Sequence, residues 1–336
     1  MKIIEHIKNN HFVYRESFHY FCLKNCVFQL LSMKSPNAFA YINCAPCIYV
    51  YFSPHLEDGY TIRYEKNPLQ KEQTSSFDIV EPKYKCAEIN FSSITKNIDK
   101  NCAVIAAADV YFLPYKHHYF NKFHASHAII IYGYDSRNKE IHIVDCYNKD
   151  SYIGTISYDD FFNAWSSLNP SEANPFSGSP INNVWGVLKL EEYEHQYSNP
   201  IVNNIVNVSN CFYGRNGKRC FVGIDGLNRL KSLFQKHIVL ENRVNLERLH
   251  KNLYMYYREK ILLKDYIVFY SESIKLPDLL LSSLEKNIVS WSVFLTHILK
   301  VNITKKELSL EKINNFFDDI LCSEKELHNY ILQTLK

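Results

Sequence analysis

Glycine is scarce in this chain: there are nine in 336 residues, and four of them fall between residues 214 and 226. Phosphate loops and serine nucleophile elbows are built on closely spaced glycines, and neither is present. "GRNGKR" (214–219) has the wrong glycine spacing and no Ser or Thr after its lysine, and no G-x-S-x-G occurs. A charge excess is also missing. The net charge is +3, which gives no footprint for a nucleic-acid or membrane partner. No apolar run approaches a membrane span, and "CAVIAAADVYFLPY" is broken by Asp109. The opening "MKIIEHIKNNHFVYRES" has charges where a secretory leader needs an apolar stretch. The expectation is a cytoplasmic protein without nucleic-acid or membrane partners. In that compartment the ten cysteines are thiols, and they do not form a disulfide framework.

What the chain does have is enough apolar and aromatic side chain, 46% and 15%, to bury more than one core. Up to about residue 195, short β-like runs alternate with turns: "CIYVYF", "YTIRYE", "HAIIIYGY", "EIHIVD", "SYIGTIS" and "VWGVLKLE". Helical spacing appears at 21–33 and 159–167. From about 225 the period becomes helical throughout, in Leu227, Leu230 and Phe234, then "LERLHKNLYMYYREKILL", "NIVSWSVFLTHIL" and "EKELHNYILQTL". Pro277 divides this region, and Thr304 with Glu307 reads as a capping box. The reading is α+β, with an antiparallel-sheet domain over 1–195, a linker over 196–224 and an all-α domain over 225–336.

One stretch reads as a β-hairpin with a histidine and an aspartate at its outer ends: "HASHAIIIYGYDSRNKEIHIVD", residues 124–145. A five-residue turn at 134–138 pairs Ile131 with Ile141, Ile129 with Ile143 and His127 with Asp145. Directly opposed residues share a face. An imidazole beside a carboxylate has a fixed tautomer and a stabilised cation, the arrangement that activates a Ser or Cys nucleophile. The same residues also read as ordinary polar hairpin ends.

A cysteine nucleophile gains thiolate character at a helix N-terminus. "SFHYFCLKNCVFQLLSMKS" offers that position: Cys22, Cys26 and Leu30 recur every fourth residue, so a helix begins near Cys22. Cys22 lies in its first turn, and Cys26, one turn deeper, reads as core. Other constellations compete. Cys22, Cys26, Cys44 and Cys47 have zinc-like spacing. His117, His118, His124 and His127 cluster in "HHYFNKFHASH". Asp109 is an alternative orienter for the histidine, and Trp165 and Trp185 read as core.

"FCLKNCVFQLL", then "DVYFLPY…HASHAIIIYGYDSRNKEIHIVD", then "YDDFFNAW" resemble the family of butirosin biosynthesis protein H, whose members occur beside nonribosomal peptide and polyketide pathways. The resemblance extends into the helical half, where "WSVFLTHILK" loosely matches the family's W..L...I.K pattern. The family's N-terminal domain is itself similar to papain-like and C39-type cysteine peptidases. The resemblance therefore implies a papain-like (C39-like) cysteine-enzyme domain followed by an all-α domain. It implies Cys22 as nucleophile, His127 as base and Asp145 as orienter, with no cofactor and no metal. The activity it implies is acyl transfer from an acyl or peptidyl carrier protein, as a phosphopantetheine thioester, to an amine or hydroxyl of a small-molecule or peptide acceptor. Two departures stand out: Phe21 occupies the position where family members commonly have His, and no Gln precedes Cys22. The backbone N–H of Cys22 is then the oxyanion donor left. A C39-like peptidase or amidohydrolase is the alternative activity, and a non-catalytic zinc-binding or scaffold protein is the alternative class.

Overall fold

The computed structural model describes residues 1–12, 15–18, 21–34, 38–42, 48–52, 60–63, 77–80, 87–146, 151–172, 176–188, 200–214, 220–239, 246–274, 277–304 and 306–335. The chain forms two compact units, Met1–Ile42 with Gln73–Gln196, and Asn43–Glu72 with Tyr197–Lys336. The fold is α+β, with strands concentrated in the first unit and helices in the second.

The first unit opens with β1 (Lys2–Ile3), α1 (Glu5–Lys8) and α2 (Cys22–Ser32). The second unit's β2 (Tyr49–Phe52) and β3 (Tyr60–Arg63) come next in the chain. The first unit then resumes with β4 (Phe77–Val80), α3 (Ala87–Asp99), β5 (Val104–Asp109), β6 (Ser126–Asp135), β7 (Glu140–Asp145), β8 (Tyr152–Ser157), α4 (Tyr158–Ser166) and β9 (Trp185–Leu188). Its strands form one antiparallel sheet in the order β4–β9–β5–β6–β7–β8, with β1 also pairing β6. The central strands are near-continuous apolar runs because both faces are covered. Val104, Ala106, Ile129, Ile131 and Ile143 are buried completely. α4 starts where Ser157 accepts from the Asp160 N–H at 3.0 Å, with Asp159 and Asp160 in its first turn. Its Phe161, Ala164 and Trp165 share one stripe and are buried. Phe91 of α3 packs against Tyr158, Phe161 and Phe162 of that helix.

The β6–β7 hairpin corrects the register read from the sequence. Ile131 pairs with Ile143 and Ile130 with Val144, so Ile129, not His127, lies across from Asp145. The ladder shifts between Ile131 and Gly133, then resumes as Gly133↔His142, Tyr134↔Ile141 and Asp135↔Glu140. The chain reverses over 136–139, where Asp135 accepts from the N–H groups of Arg137 and Asn138. The turn is the physical reason: it lies at 136–139 and not at 134–138, which shifts the pairing by three residues, and the irregularity between Ile131 and Gly133, a β-bulge, takes one of them back. Beyond Ile131, β6 leaves β5 and takes β1 as neighbour, with Ile3 opposite Gly133. A Cβ on Gly133 would sit 2.8 Å from the Lys2 carbonyl, so the crossing requires glycine. The slip near His127 is two residues, an even number, and side chains keep their faces.

The second unit joins β10 (Cys220–Val222), β2 and β3 in an antiparallel sheet, with α5 (Pro200–Phe212), α6 (Gly223–Val239), α7 (Leu246–Ile274), α8 (Asp278–Thr304) and α9 (Leu310–Thr334). Its core combines Leu227, Leu230 and Phe234 of α6 with Leu253 and Tyr256 of α7, Trp291 and Phe294 of α8, and Phe317 and Ile320 of α9. Ile48 and Val50 belong to that same core. β2 and β3 therefore belong with the C-terminal unit and not within a continuous 1–195 domain. The segment read as a linker contains α5 and β10. Gly223, at φ +51°, lies so close to the Phe212 backbone that a Cβ would collide with it. The Thr304–Glu307 capping box is not formed. Thr304 closes α8 by donating to the Lys300 carbonyl at 2.7 Å, and Ser309 caps α9.

Inside this helical unit lies a buried polar cluster. Glu324 accepts from Trp291 Nε1 at 2.7 Å, Tyr256 at 3.2 Å and Lys260 at 2.8 Å, and lies 3.2 Å from His328 Nε2. His328 Nδ1 lies 3.0 Å from Ser209 Oγ. Lys260 and the His328 proton on Nε2 keep the Glu324 carboxyl well below the usual range against its burial.

Candidate active site

α2 begins at Cys22, with Phe21 as N-cap. Phe has no side-chain acceptor, so the first-turn N–H groups are not capped by that residue. Two polar contacts fix the helix against the sheet. Asn25 Nδ2 donates to the Cys146 carbonyl at 2.7 Å, next to Asp145, and is itself held by Gln29 at 3.0 Å. Cys26 Sγ donates to the Ala128 carbonyl at 3.4 Å, next to His127. Both contacts hold α2 beside residues adjacent to the candidate pair. The sequence reading missed Asn25 because, mid-helix, it looks like a solvent-facing residue.

His127 Nε2 lies 3.0 Å from Asp145 Oδ2, and both side chains are nearly inaccessible. The two residues sit on the hairpin diagonal, on one face, within reach of an imidazole. With Nε2 committed to the carboxylate, Nδ1 is the ring nitrogen left to meet the thiol, and His127 and Cys22 are hydrogen-bonded through their side chains. The structure thus brings Cys22, His127 and Asp145 together.

The electrostatics follow from that contact. Burial works against ionising Cys22. The His127 hydrogen bond, the His127 charge and the backbone groups of Ala128 and Leu23 outweigh it, and the thiol is more acidic than an ordinary cysteine. For His127, burial disfavours the cation and Lys116 opposes it too, but Asp145 and Cys22 prevail and its basicity rises. Asp145 is held well below the usual carboxylate range: its burial is overcome by His127 and Lys116. Neighbouring thiols go the other way. Burial, then the charges at Cys22 and Asp145, push Cys26 far up, and burial pushes Cys146 to about 12. Cys22 is the one thiol of this group held toward its thiolate.

Two further residues meet the carboxylate. Lys116 Nζ lies 2.8 Å from Asp145 Oδ2, and Tyr115 donates to the same oxygen at 2.9 Å. The Tyr115 ring stacks on Tyr152 at 4.0 Å, and Tyr152 pairs with Asp145 across β7–β8. Both come from "DVYFLPYKHH", where the sequence has no period to say which side chains turn inward.

Asp109, the alternative orienter, is engaged elsewhere. It accepts from the N–H groups of Tyr111 at 3.1 Å and Ala125 at 3.2 Å, and from Ser167 Oγ at 2.6 Å, and it lies 2.7 Å from His124 Nδ1. It locks the end of β5 to the loop entering β6. The four histidines accordingly diverge: His124 goes to Asp109, His127 to Asp145, and His117 and His118 are exposed. Among the described residues, no three or more His, Cys, Asp or Glu side chains gather as a metal site would need. Cys44 and Cys47 lie outside the described residues. Trp165 and Trp185 are core. Among the described residues, no helix is long and apolar enough to cross a membrane.

No curated protein matches the chain. Residues 30–146 match the family model of butirosin biosynthesis protein H, N-terminal. The match begins within α2, after Cys22, and ends one residue past Asp145, so it includes His127 and Asp145. Over residues 30–146, the chain is similar to the N-terminal region of the butirosin biosynthesis protein H family.

Proposed function

We propose that this chain is a cysteine-dependent acyltransferase of secondary-metabolite biosynthesis, taking an acyl group from a carrier-protein thioester to an amine or hydroxyl acceptor. The observation that carries it is the alignment of an acidified Cys22 at a helix start with a buried His127–Asp145 pair. The family, named for a protein of butirosin biosynthesis, supplies the pathway context.

His127 Nδ1 takes the Cys22 proton while Asp145 steadies the imidazolium through Nε2. The thiolate adds to the thioester carbonyl, and the oxyanion forms against the N-terminus of α2, where the Cys22 N–H is the donor. Collapse breaks the carbonyl–sulfur bond of the carrier, whose phosphopantetheine sulfur leaves with the His127 proton. The acyl group is then a Cys22 thioester, so this half-reaction is nearly balanced. An amine or hydroxyl next attacks, His127 accepts its proton, and Cys22 leaves as thiolate and is reprotonated.

The test is intact mass after mixing the chain with an acyl carrier protein loaded as its thioester. Acylation of the wild type and none of Cys22→Ala is the expected result. Turnover of a peptide without any carrier, and no acylation from the thioester, would make the site that of a peptidase instead.

A further inference from the structure

Asp145 Oδ2 faces three donors at once: His127 Nε2 at 3.0 Å, Tyr115 Oη at 2.9 Å and Lys116 Nζ at 2.8 Å. A carboxylate oxygen has two lone-pair directions, so the three share what two would satisfy. The lysine is the shortest of these contacts and carries a fixed charge. Its position is built. Its N–H bonds to the Leu113 carbonyl at 2.9 Å, and its own carbonyl accepts from Tyr119 at 2.7 Å and Phe120 at 2.8 Å. The side chain is 11% exposed. A lysine placed only for solubility would keep its ammonium in water.

We propose that Lys116 is a positioning residue that divides the hold of Asp145, so that His127 is oriented by the carboxylate without being locked as its counter-ion. This rests on the acyl-transfer reading, in which His127 takes the Cys22 proton and returns it to the departing carrier thiol. A His–Asp pair alone in a buried site favours the imidazolium strongly. An imidazolium held too firmly is a poor acid toward the departing carrier thiol, and it is slow to become the neutral base that the acceptor amine requires. The Lys116 charge opposes the His127 cation while deepening the ionisation of Asp145. The carboxylate therefore stays charged and the histidine stays exchangeable. The other groups facing the pair are Cys22 and Cys26 from α2, Cys146 after β7, and Tyr115 and Tyr152. Burial holds Cys26, Cys146, Tyr115 and Tyr152 uncharged, which leaves Lys116 as the fixed positive charge among them.

The experiment is an NMR titration of the His127 ring in the full chain carrying Cys22→Ala, which removes the coupled thiol. Lys116→Met added to that background moves the His127 midpoint to higher pH, and Lys116→Arg leaves it near the parent. A merely structural lysine gives the opposite sign: losing it loosens Asp145, and the midpoint falls. A fall, or no movement, in Lys116→Met overturns the proposal. Lys116→Gln, which removes charge and keeps a donor, serves if the Met variant does not fold, and the same rise is required of it. Failure of the acyl-transfer reading shows elsewhere, as wild-type Cys22 that is not acylated by a carrier thioester, whichever way His127 titrates.

Discussion

His127 and Asp145 meet on the diagonal of their hairpin, Nε2 to Oδ2 at 3.0 Å, with Ile129 standing directly across from the aspartate. Lys116 and Tyr115 approach the same carboxylate oxygen, at 2.8 and 2.9 Å.

Replacing Asp145 by Asn removes the charge that raises His127. The expected outcome is a lower His127 midpoint and alkylation of Cys22 at pH 6 slower by about ten-fold or more. The sign of the stability effect follows from the two shifts. Asp145 is depressed, so its contribution is present above its unfolded value near 4 and is lost as pH falls through the folded value. His127 is raised, so its contribution is full below about 6.5 and is lost as pH rises through its folded value. Urea denaturation should therefore find the largest gap between wild type and Asp145→Asn from about pH 4 to 6.5.

Asp109→Asn separates a structural carboxylate from the one in the proposed triad. It disturbs bonds to His124, Ser167 and two backbone N–H groups, at a cost of about 2–4 kcal/mol. Once folded, the variant should leave the His127 titration where it was. Thermal melts and the NMR titration together read both halves. A shifted His127 with unchanged stability would restore Asp109 as the orienter.

In the helical unit, Lys260→Met and Glu324→Gln should each destabilise by about 3–5 kcal/mol, because each strands a buried partner. The double variant should lose clearly less than the sum of the two. Burial keeps His328 largely neutral when folded, although Glu324 opposes this. The unfolded chain takes up that proton near pH 6.5, so stability of this unit falls as pH drops below about 6.5. His328→Gln should flatten that slope in urea melts at pH 5 and 7.

How much of this was legible is a matter of period. Cys22 was readable because apolar residues every fourth position place a helix start there. His127 and Asp145 were readable because alternation fixes which strand residues share a face, and a slip of two preserves it. The bulge that sets the slip at two and not three lies where β1 pairs with β6 from far away in the chain, which no local pattern announces. Lys116 and Tyr115 lie in an aperiodic loop, where residue type does not say which way a side chain points. The grouping of β2 with the C-terminal unit was hidden because its partner is distant: "CIYVYF" reads as a strand, but its partner β10 follows about 170 residues later. Glu324 and His328, spaced like any surface pair on a helix, gave no sign that Lys260 and Trp291 would meet them.

The most direct test of the central claim, that His127 and Asp145 hold Cys22 as the reactive thiolate, is iodoacetamide labelling of every cysteine against pH, resolved peptide by peptide. The account predicts that Cys22 is alkylated rapidly at mildly acidic pH while Cys26 and Cys146 stay slow, and that His127→Ala removes the difference. Cys22 reacting no faster than the other thiols, or as fast without His127, would contradict it.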